Sequence, residues 1–349
     1  MKNAQMNVPC LVRIKPGALH RLGLYLARSC LSPVALFHSE GLLDSILDVA
    51  RQSLLDHGIA AALVHEVKQA SVEEGVHLLG AVPSSCKVLI GLGGGKALDV
   101  AKYAASLAGL PYFAVPTSLS NDGFCSPQAS LTLEGKRRSL PTGLPEAVVV
   151  DLAVCQRAPQ TLWHSGVGDL CSKFTAVSDW KLAYEKREVP VNDLAALISD
   201  ASVFQFMANP VPDEQGIRLL ATALMLNGVA MEIAGSSRPA SGSEHLISHA
   251  LDVSGARQRL HGLQTGTAAY LVSSLQSGDH HDRIKELFAR TGFWESVRKD
   301  PFSKEEWRIA VERAPSIKDD FYTILSESDA WPEFARMIAH DQALIGCFE

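Results

Sequence analysis

The chain has 349 residues, 47% of them hydrophobic and 20% charged, with a formal net charge of −6. That length suggests two domains of about 100–200 residues each, and the composition is that of an ordinary globular protein. The acidic balance, with no cationic run longer than Lys136-Arg137-Arg138, excludes nucleic acid as the main partner. Seven cysteines are scattered without a C-x-x-C pair, so neither a disulfide framework nor a thiolate zinc site is indicated. Residues 1–13 lack a secretory apolar core, and no apolar run approaches the ~18 residues of a membrane span. A cytoplasmic protein without a membrane span is expected.

In chain order, residues 34–37 read as a buried strand, followed by a helical pattern over 42–57. Residues 61–64 form the next strand and 71–79 the next helix. Residues 88–90 lead into a glycine-rich turn and a helix, and the strand at 112–115 ends at Pro116. Strands alternating with helices imply a parallel sheet covered on both faces. Residues 129–138 differ: alternation up to Leu133 and a turn at Glu134-Gly135 predict a hairpin. Residues 147–150 form a further buried strand. Beyond Asp151 the apolar spacing becomes three and four, as in 194–207 and 217–233, which predicts helices. The expected organisation is an α/β Rossmann-like domain over 1–151 and an all-α domain over 152–349, with a small-molecule site in the cleft between them.

The glycine turn runs Ile90-Gly91-Leu92-Gly93-Gly94-Gly95-Lys96-Ala97. Consecutive glycines at a helix start let backbone N–H groups approach a phosphate, where the helix dipole favours an anion. Lys96 stands where G-x-G-x-x-G needs its last glycine, and Ala97 stands where a P-loop needs Ser or Thr. A pyrophosphate cradle and a plain tight turn both remain open.

His245 and His249 are spaced i, i+4 and so share a helix face; His261 follows sixteen residues after His245. Gly168-Asp169-Leu170 places a carboxylate near the start of a helix. Three N/O ligands with an open position describe a catalytic zinc site. A single histidine is as readily a satisfied polar residue, and His164, His280, His281 and His340 are read that way. Spacing alone does not select Asp169.

These residues match a family. The run Gly93-Gly94-Gly95-Lys96-Ala97-Leu98-Asp99-Val100-Ala101-Lys102 resembles the GGG-x-x-x-D-x-A-K turn of glycerol dehydrogenases, iron-type alcohol dehydrogenases and glycerol-1-phosphate dehydrogenases. More selective are Val115-Pro116-Thr117-Ser118-Leu119-Ser120-Asn121-Asp122-Gly123, Gly166-Val167-Gly168-Asp169-Leu170, residues 176–183, residues 237–252 and Tyr322-Thr323-Ile324-Leu325. Together they resemble glycerol-1-phosphate dehydrogenase, the enzyme of archaeal phospholipid synthesis, over about residues 85–325.

The resemblance implies metal ligands Asp169, His245 and His261, with zinc, nickel or iron all suited to them. His249 would face the site without ligating. Gly93, Gly94, Gly95, Lys96 and Asp99 would border the pyrophosphate of NAD(H) or NADP(H), and Thr117, Ser118 and Ser120 would line the nicotinamide side. Asp122 would contact substrate hydroxyls, and Asp122 or His249 would relay the proton. The implied reaction interconverts dihydroxyacetone phosphate and sn-glycerol 1-phosphate, in a homo-oligomer acting on a small molecule. Arg238, Lys173 and the 136–138 tip are the candidate phosphate donors.

Two departures stand out. Leu263 replaces the Glu that usually follows His-Gly, so a carboxylate orienting the ligands is expected to be missing. The first strand ends at Phe37-His38-Ser39, without the Asp that NAD-preferring relatives carry, which favours acceptance of both nucleotides. An unphosphorylated polyol dehydrogenase, a dehydroquinate synthase-like cyclase and a non-catalytic nucleotide sensor are the competing readings.

Overall fold

Short continuous apolar runs, buried on both faces as in a covered parallel sheet, give the first unit its central strands. The computed structural model describes residues 8–254 and 257–349, so the reading of the amino terminus above falls partly outside the described residues. The chain divides into two compact units, one up to Leu119 with Gly123–Ala158, the other Ser120–Asp122 with Pro159–Glu349.

In the first unit, β1 (Leu11–Lys15), β2 (Val34–Ser39), β3 (Ala61–Val67), β4 (Val88–Gly93), β5 (Tyr112–Pro116) and β8 (Ala147–Asp151) form one sheet in the order β1-β8-β5-β4-β2-β3. Every pairing in it is parallel. Alternate side chains separate onto two faces. Val34, Leu36, Ile90, Leu92, Phe113 and Val149 pack on one face with α1 (Leu22–Arg28) and α2 (Asp44–Asp56). Ala35, Phe37, Leu89, Tyr112 and Ala114 pack on the other with α3 (Val72–Ala81) and α4 (Gly95–Ala108). The expected hairpin is β6 (Gln128–Leu133) with β7 (Lys136–Pro141), joined by Glu134 and Gly135, both at positive φ as a two-residue type I′ turn requires. Strand β1 lies outside the sequence expectations, and it makes Val34–Ser39 the second strand rather than the first. Helix α5 (Leu152–Gln156) closes the unit, with the Asp151 side chain accepting from the Ala153 N–H.

The second unit is helical: α6 (Gln160–Arg187), α7 (Asp193–Met207), α8 (Glu214–Ala234), α9 (Ser243–Val253), α10 (His261–Ser273), α11 (His280–Thr291), α12 (Phe293–Lys299), α13 (Lys304–Arg313) and α14 (Trp331–His340). Asn192 and Asp213 cap α7 and α8 through side-chain oxygens. Among the described residues, α8 alone is long and apolar enough to cross a membrane, and half of that stretch is buried inside the protein. Helices α6 and α10 cross closely. A Cβ on Gly262 would stand 1.8 Å from the Ser165 carbonyl oxygen, and one on Gly168 would stand 2.0 Å from that of Gly262. Only glycine permits this approach, and each glycine is the neighbour of a candidate ligand.

Candidate metal centre

Asp169 sits in the middle of the 28-residue α6, not near its start, and is completely buried. Its Oδ2 accepts the Asp122 backbone N–H at 2.9 Å. Its Oδ1 lies 3.3 Å from Lys173 Nζ, one turn further along the helix. Lys173 is also completely buried, bridging to Asp122 Oδ2 at 2.9 Å and donating to the Ala240 carbonyl at 3.3 Å. Burial presses its ammonium to lose its proton, but the two carboxylates more than offset this and its pKa is raised. Asp169 is pushed up by burial and by the charge of Asp122, and drawn back down by Lys173. Lys173 is therefore committed to two acids, which corrects the reading of it as a free phosphate donor.

The short α9 carries His245 in its first turn, and α10 begins at His261. Their Nε2 atoms lie 3.7 Å and 4.0 Å from Asp169 Oδ1. Asp169, His245 and His261 each offer one ligand atom, all within 4.8 Å of one another. Tetrahedral bonds of about 2.1 Å would hold such atoms about 3.4 Å apart, so a small contraction closes the set on a divalent ion.

The far ring nitrogens of both histidines are held by polar partners. His245 Nδ1 faces Glu244 Oε1 at 2.9 Å, an oxygen that also accepts the Gly242 N–H at 2.6 Å. Thr175 Oγ1 lies 2.8 Å from the other Glu244 oxygen. His261 Nδ1 faces Ser248 Oγ at 3.1 Å, and Ser248 donates onward to Gln264 Oε1 at 2.7 Å. These networks assign the proton of each ring to Nδ1 and leave the Nε2 lone pairs toward Asp169. Burial, reinforced by the charges of Lys173, His261, His249 and Lys318, holds His245 well below the usual histidine range. It is thus neutral, as a ligand must be. Glu244, deeply buried and near Asp179, is pushed up to about 8.

Leu263 is indeed apolar and buried. The expected gap is filled elsewhere, by Glu244 for His245 and by Ser248 with Gln264 for His261. Sequence reasoning missed all three, although Glu244 adjoins a ligand. His249 is half-buried, its ring 6.4 Å from that of His245 and 6.2 Å from that of His261, outside the three-ligand set. His164 is buried, bonded to Ser296 Oγ at 2.6 Å and the Thr291 carbonyl at 3.0 Å. Arg238 is 5% exposed and spends its guanidinium on the carbonyls of Tyr322 and Asp320.

In the first unit, Gly93 ends β4 at φ +136°, and a Cβ there would stand 2.2 Å from Ser39 Oγ. The Gly94 N–H donates to that hydroxyl at 2.9 Å, and the Gly93 carbonyl accepts from Thr117 N–H at 3.0 Å. Gly93, Gly94 and Thr117 are thus brought together at the ends of neighbouring strands. Gly94 caps α4 without a side-chain bond, while Gly95 and Lys96 are exposed, with open space where a Gly95 Cβ would be. Such a helix start suits a phosphate. Asp99 points instead to Lys102 at 3.2 Å, whose ammonium also holds the carbonyls of Gly123 and Gln128. Ser118 is half-buried. Ser120 belongs to the second unit, where its carbonyl accepts from Ser165 Oγ at 2.8 Å. The 136–138 tip is exposed on β7.

Residues 13–159 match the model of the iron-containing alcohol dehydrogenase family. The chain is 37% identical to glycerol-1-phosphate dehydrogenase (NAD(P)+) of Aeropyrum pernix over 300 residues, covering 84% of this chain and 85% of that one. It is 38% identical to the enzyme of the same name from Methanosarcina mazei over 265 residues, covering 74% and 73%. The crystal structure of glycerol dehydrogenase from Schizosaccharomyces pombe shares the fold, with a TM-score of 0.76 at 17% identity, over 99% of this chain and 92% of that one.

Proposed function

Because the chain belongs to the glycerol-1-phosphate dehydrogenase family, we propose that it interconverts dihydroxyacetone phosphate and sn-glycerol 1-phosphate with NAD(H) or NADP(H). The observation that carries this reading is the convergence of Asp169, His245 and His261, with both imidazoles held in the tautomer that coordination needs. A divalent ion on these residues would act as a Lewis acid toward the C2 oxygen, and the nicotinamide would supply or accept the hydride.

The protein's own groups do the rest. Gly93, Gly94, Gly95 and Lys96 offer the backbone cradle for the pyrophosphate, and Thr117 and Ser118 follow the adjacent strand end. Ser39 in place of an acid leaves a 2′-phosphate unopposed, which supports use of both nucleotides. Asp122 is fixed by its bridge to Lys173, ready to accept a hydrogen bond from a substrate hydroxyl. His249, one turn beyond His245, is the group we assign to passing the proton on. The donor set suits zinc, nickel or iron alike. Seven unpaired cysteines agree with a reducing, cytoplasmic setting, and the product would serve as a phospholipid backbone.

The test is oxidation of NADH and NADPH with dihydroxyacetone phosphate by chelated and metal-reconstituted protein. Activity should vanish on chelation and return with metal, and His245→Ala and His261→Ala should abolish both metal binding and turnover. Full activity of the chelated protein, or of either variant, would overturn the ligand assignment.

A further inference from the structure

Two neighbouring cations of the second unit, Lys318 and Arg238, form no ion pair among the described residues. Lys318 Nζ lies 3.1 Å from Ser237 Oγ and 4.5 Å from the centre of the Phe321 ring. Arg238 stacks on the same ring, its Cζ 3.7 Å from the centre. The guanidinium is held by the carbonyls of Tyr322 and Asp320. The acid that Arg238 feels is Asp179, whose oxygens are already taken by the N–H groups of Ser243 and Ile324 and by Gln276. Lys318 is half-buried; its desolvation first, and then the repulsion of Arg238, lower its pKa. Its charge in turn reaches His245. Partly shielded, like-charged neighbours are costly unless an anion joins them, and a ring face offsets the cost only in part.

We propose that Lys318, Ser237 and Arg238 form the subsite for the substrate's phosphate, with Lys318 as its principal ligand. The claim rests on the reading of the metal centre as acting on a triose phosphate. Lys318 supplies a mobile point charge with three donors, the form of cation suited to a tetrahedral dianion, and Ser237 adds a hydroxyl donor. Arg238, locked by two carbonyls, contributes charge and position. The loop 318–322 is fixed relative to α9 because Asp179 accepts from both Ile324 and Ser243. The subsite is therefore tied to the helix that carries His245.

Steady-state kinetics on the metal-loaded protein, with dihydroxyacetone phosphate and unphosphorylated dihydroxyacetone side by side, test it. Lys318→Met should lower the ratio of kcat/KM for the phosphorylated over the unphosphorylated ketone by about 10- to 100-fold, mainly through KM. The inhibition constant for inorganic phosphate should weaken by a similar factor, and Lys318→Arg should recover most of both. An equal loss with both ketones, or an unchanged ratio, overturns the assignment. If Lys318→Met does not fold, Ser237→Ala carries the same comparison with a smaller shift. Should the wild-type protein reduce only the unphosphorylated ketone, the proposed function fails. Calorimetric titration with inorganic phosphate then still decides the subsite. Binding that Lys318→Met weakens keeps it, and no binding, or equal binding by both proteins, removes it.

Discussion

Replacing Gly262 with alanine tests whether the metal centre depends on how closely α6 and α10 cross. The added Cβ would sit 1.8 Å from the Ser165 carbonyl oxygen and 2.8 Å from Ser165 Oγ. Ordinary contact begins near 3.4 Å, so the two backbones must part by about 1.6 Å. Overpacking of this kind costs about 1–3 kcal/mol in a packed interior. The effect on the metal should be larger, because His261 is the adjacent residue and ligand distances are set to within about 0.2 Å. We expect affinity to fall by at least about 100-fold, beyond the 10- to 100-fold typical of losing an orienting partner. Gly80→Ala is the control: it lies exposed on α3, nothing stands within 4 Å of its added Cβ, and it should be neutral or slightly stabilising. Urea unfolding of metal-free protein reads the packing cost, and competition with a chromophoric chelator reads the metal. If Gly262→Ala unfolds and binds metal like the wild type, the crossing does not set the site.

Lys173→Met leaves Asp122 and Asp169 without their shared buried cation, and should destabilise the metal-free protein by about 3–5 kcal/mol in urea titrations; wild-type stability would refute the role. Glu244→Leu removes the acceptor of the His245 Nδ1 proton and should weaken metal binding by about 10- to 100-fold, whereas Glu244→Gln, whose amide oxygen can still accept, should weaken it less. Equal affinities in a chelator competition would count against that tautomer assignment. Gly93→Ala forces a side chain into a φ of +136° and against Ser39, so NADH binding followed by fluorescence should weaken at least about 10-fold while metal affinity stays unchanged. Burial lowers the pKa of His164 below the value of about 6.5 it has when unfolded. The unfolded state then binds more protons, so stability is full above pH 6.5 and is lost as pH falls through it, with a slope of at most about 1.4 kcal/mol per pH unit. His164→Gln should flatten that slope in pH-dependent urea denaturation, and unchanged slopes would dismiss the attribution.

What could be read from the sequence was what local spacing encodes. Short apolar strands, the alternating hairpin, the glycine turn after β4 and the His245/His249 pair all declare themselves within one element or turn. Strand β1 did not, because its five residues, with basic side chains at Arg13 and Lys15, are only half-buried at a sheet edge. Asp169 did not either, since its partnership with His245 and His261 exists only where α6 meets α9 and α10. Glu244 escaped for a subtler reason. Neighbouring residues on a helix normally diverge, but at the start of α9 the side chain folds back onto the Gly242 N–H and so meets the ring of His245.

Lysine is where sequence alone misleads most. Lys173 stands one turn from Asp169 and is spent on two carboxylates, so it has no charge to offer a ligand. Lys318, 73 residues from His245 and outside every motif, pairs with no acid among the described residues. Residue type and spacing treat the two as equivalent. Charge balance does not, because an ammonium shielded from water is stable only with a counter-anion. The protein supplies that anion to Lys173, and at Lys318 the proposed subsite assigns that part to the substrate's phosphate.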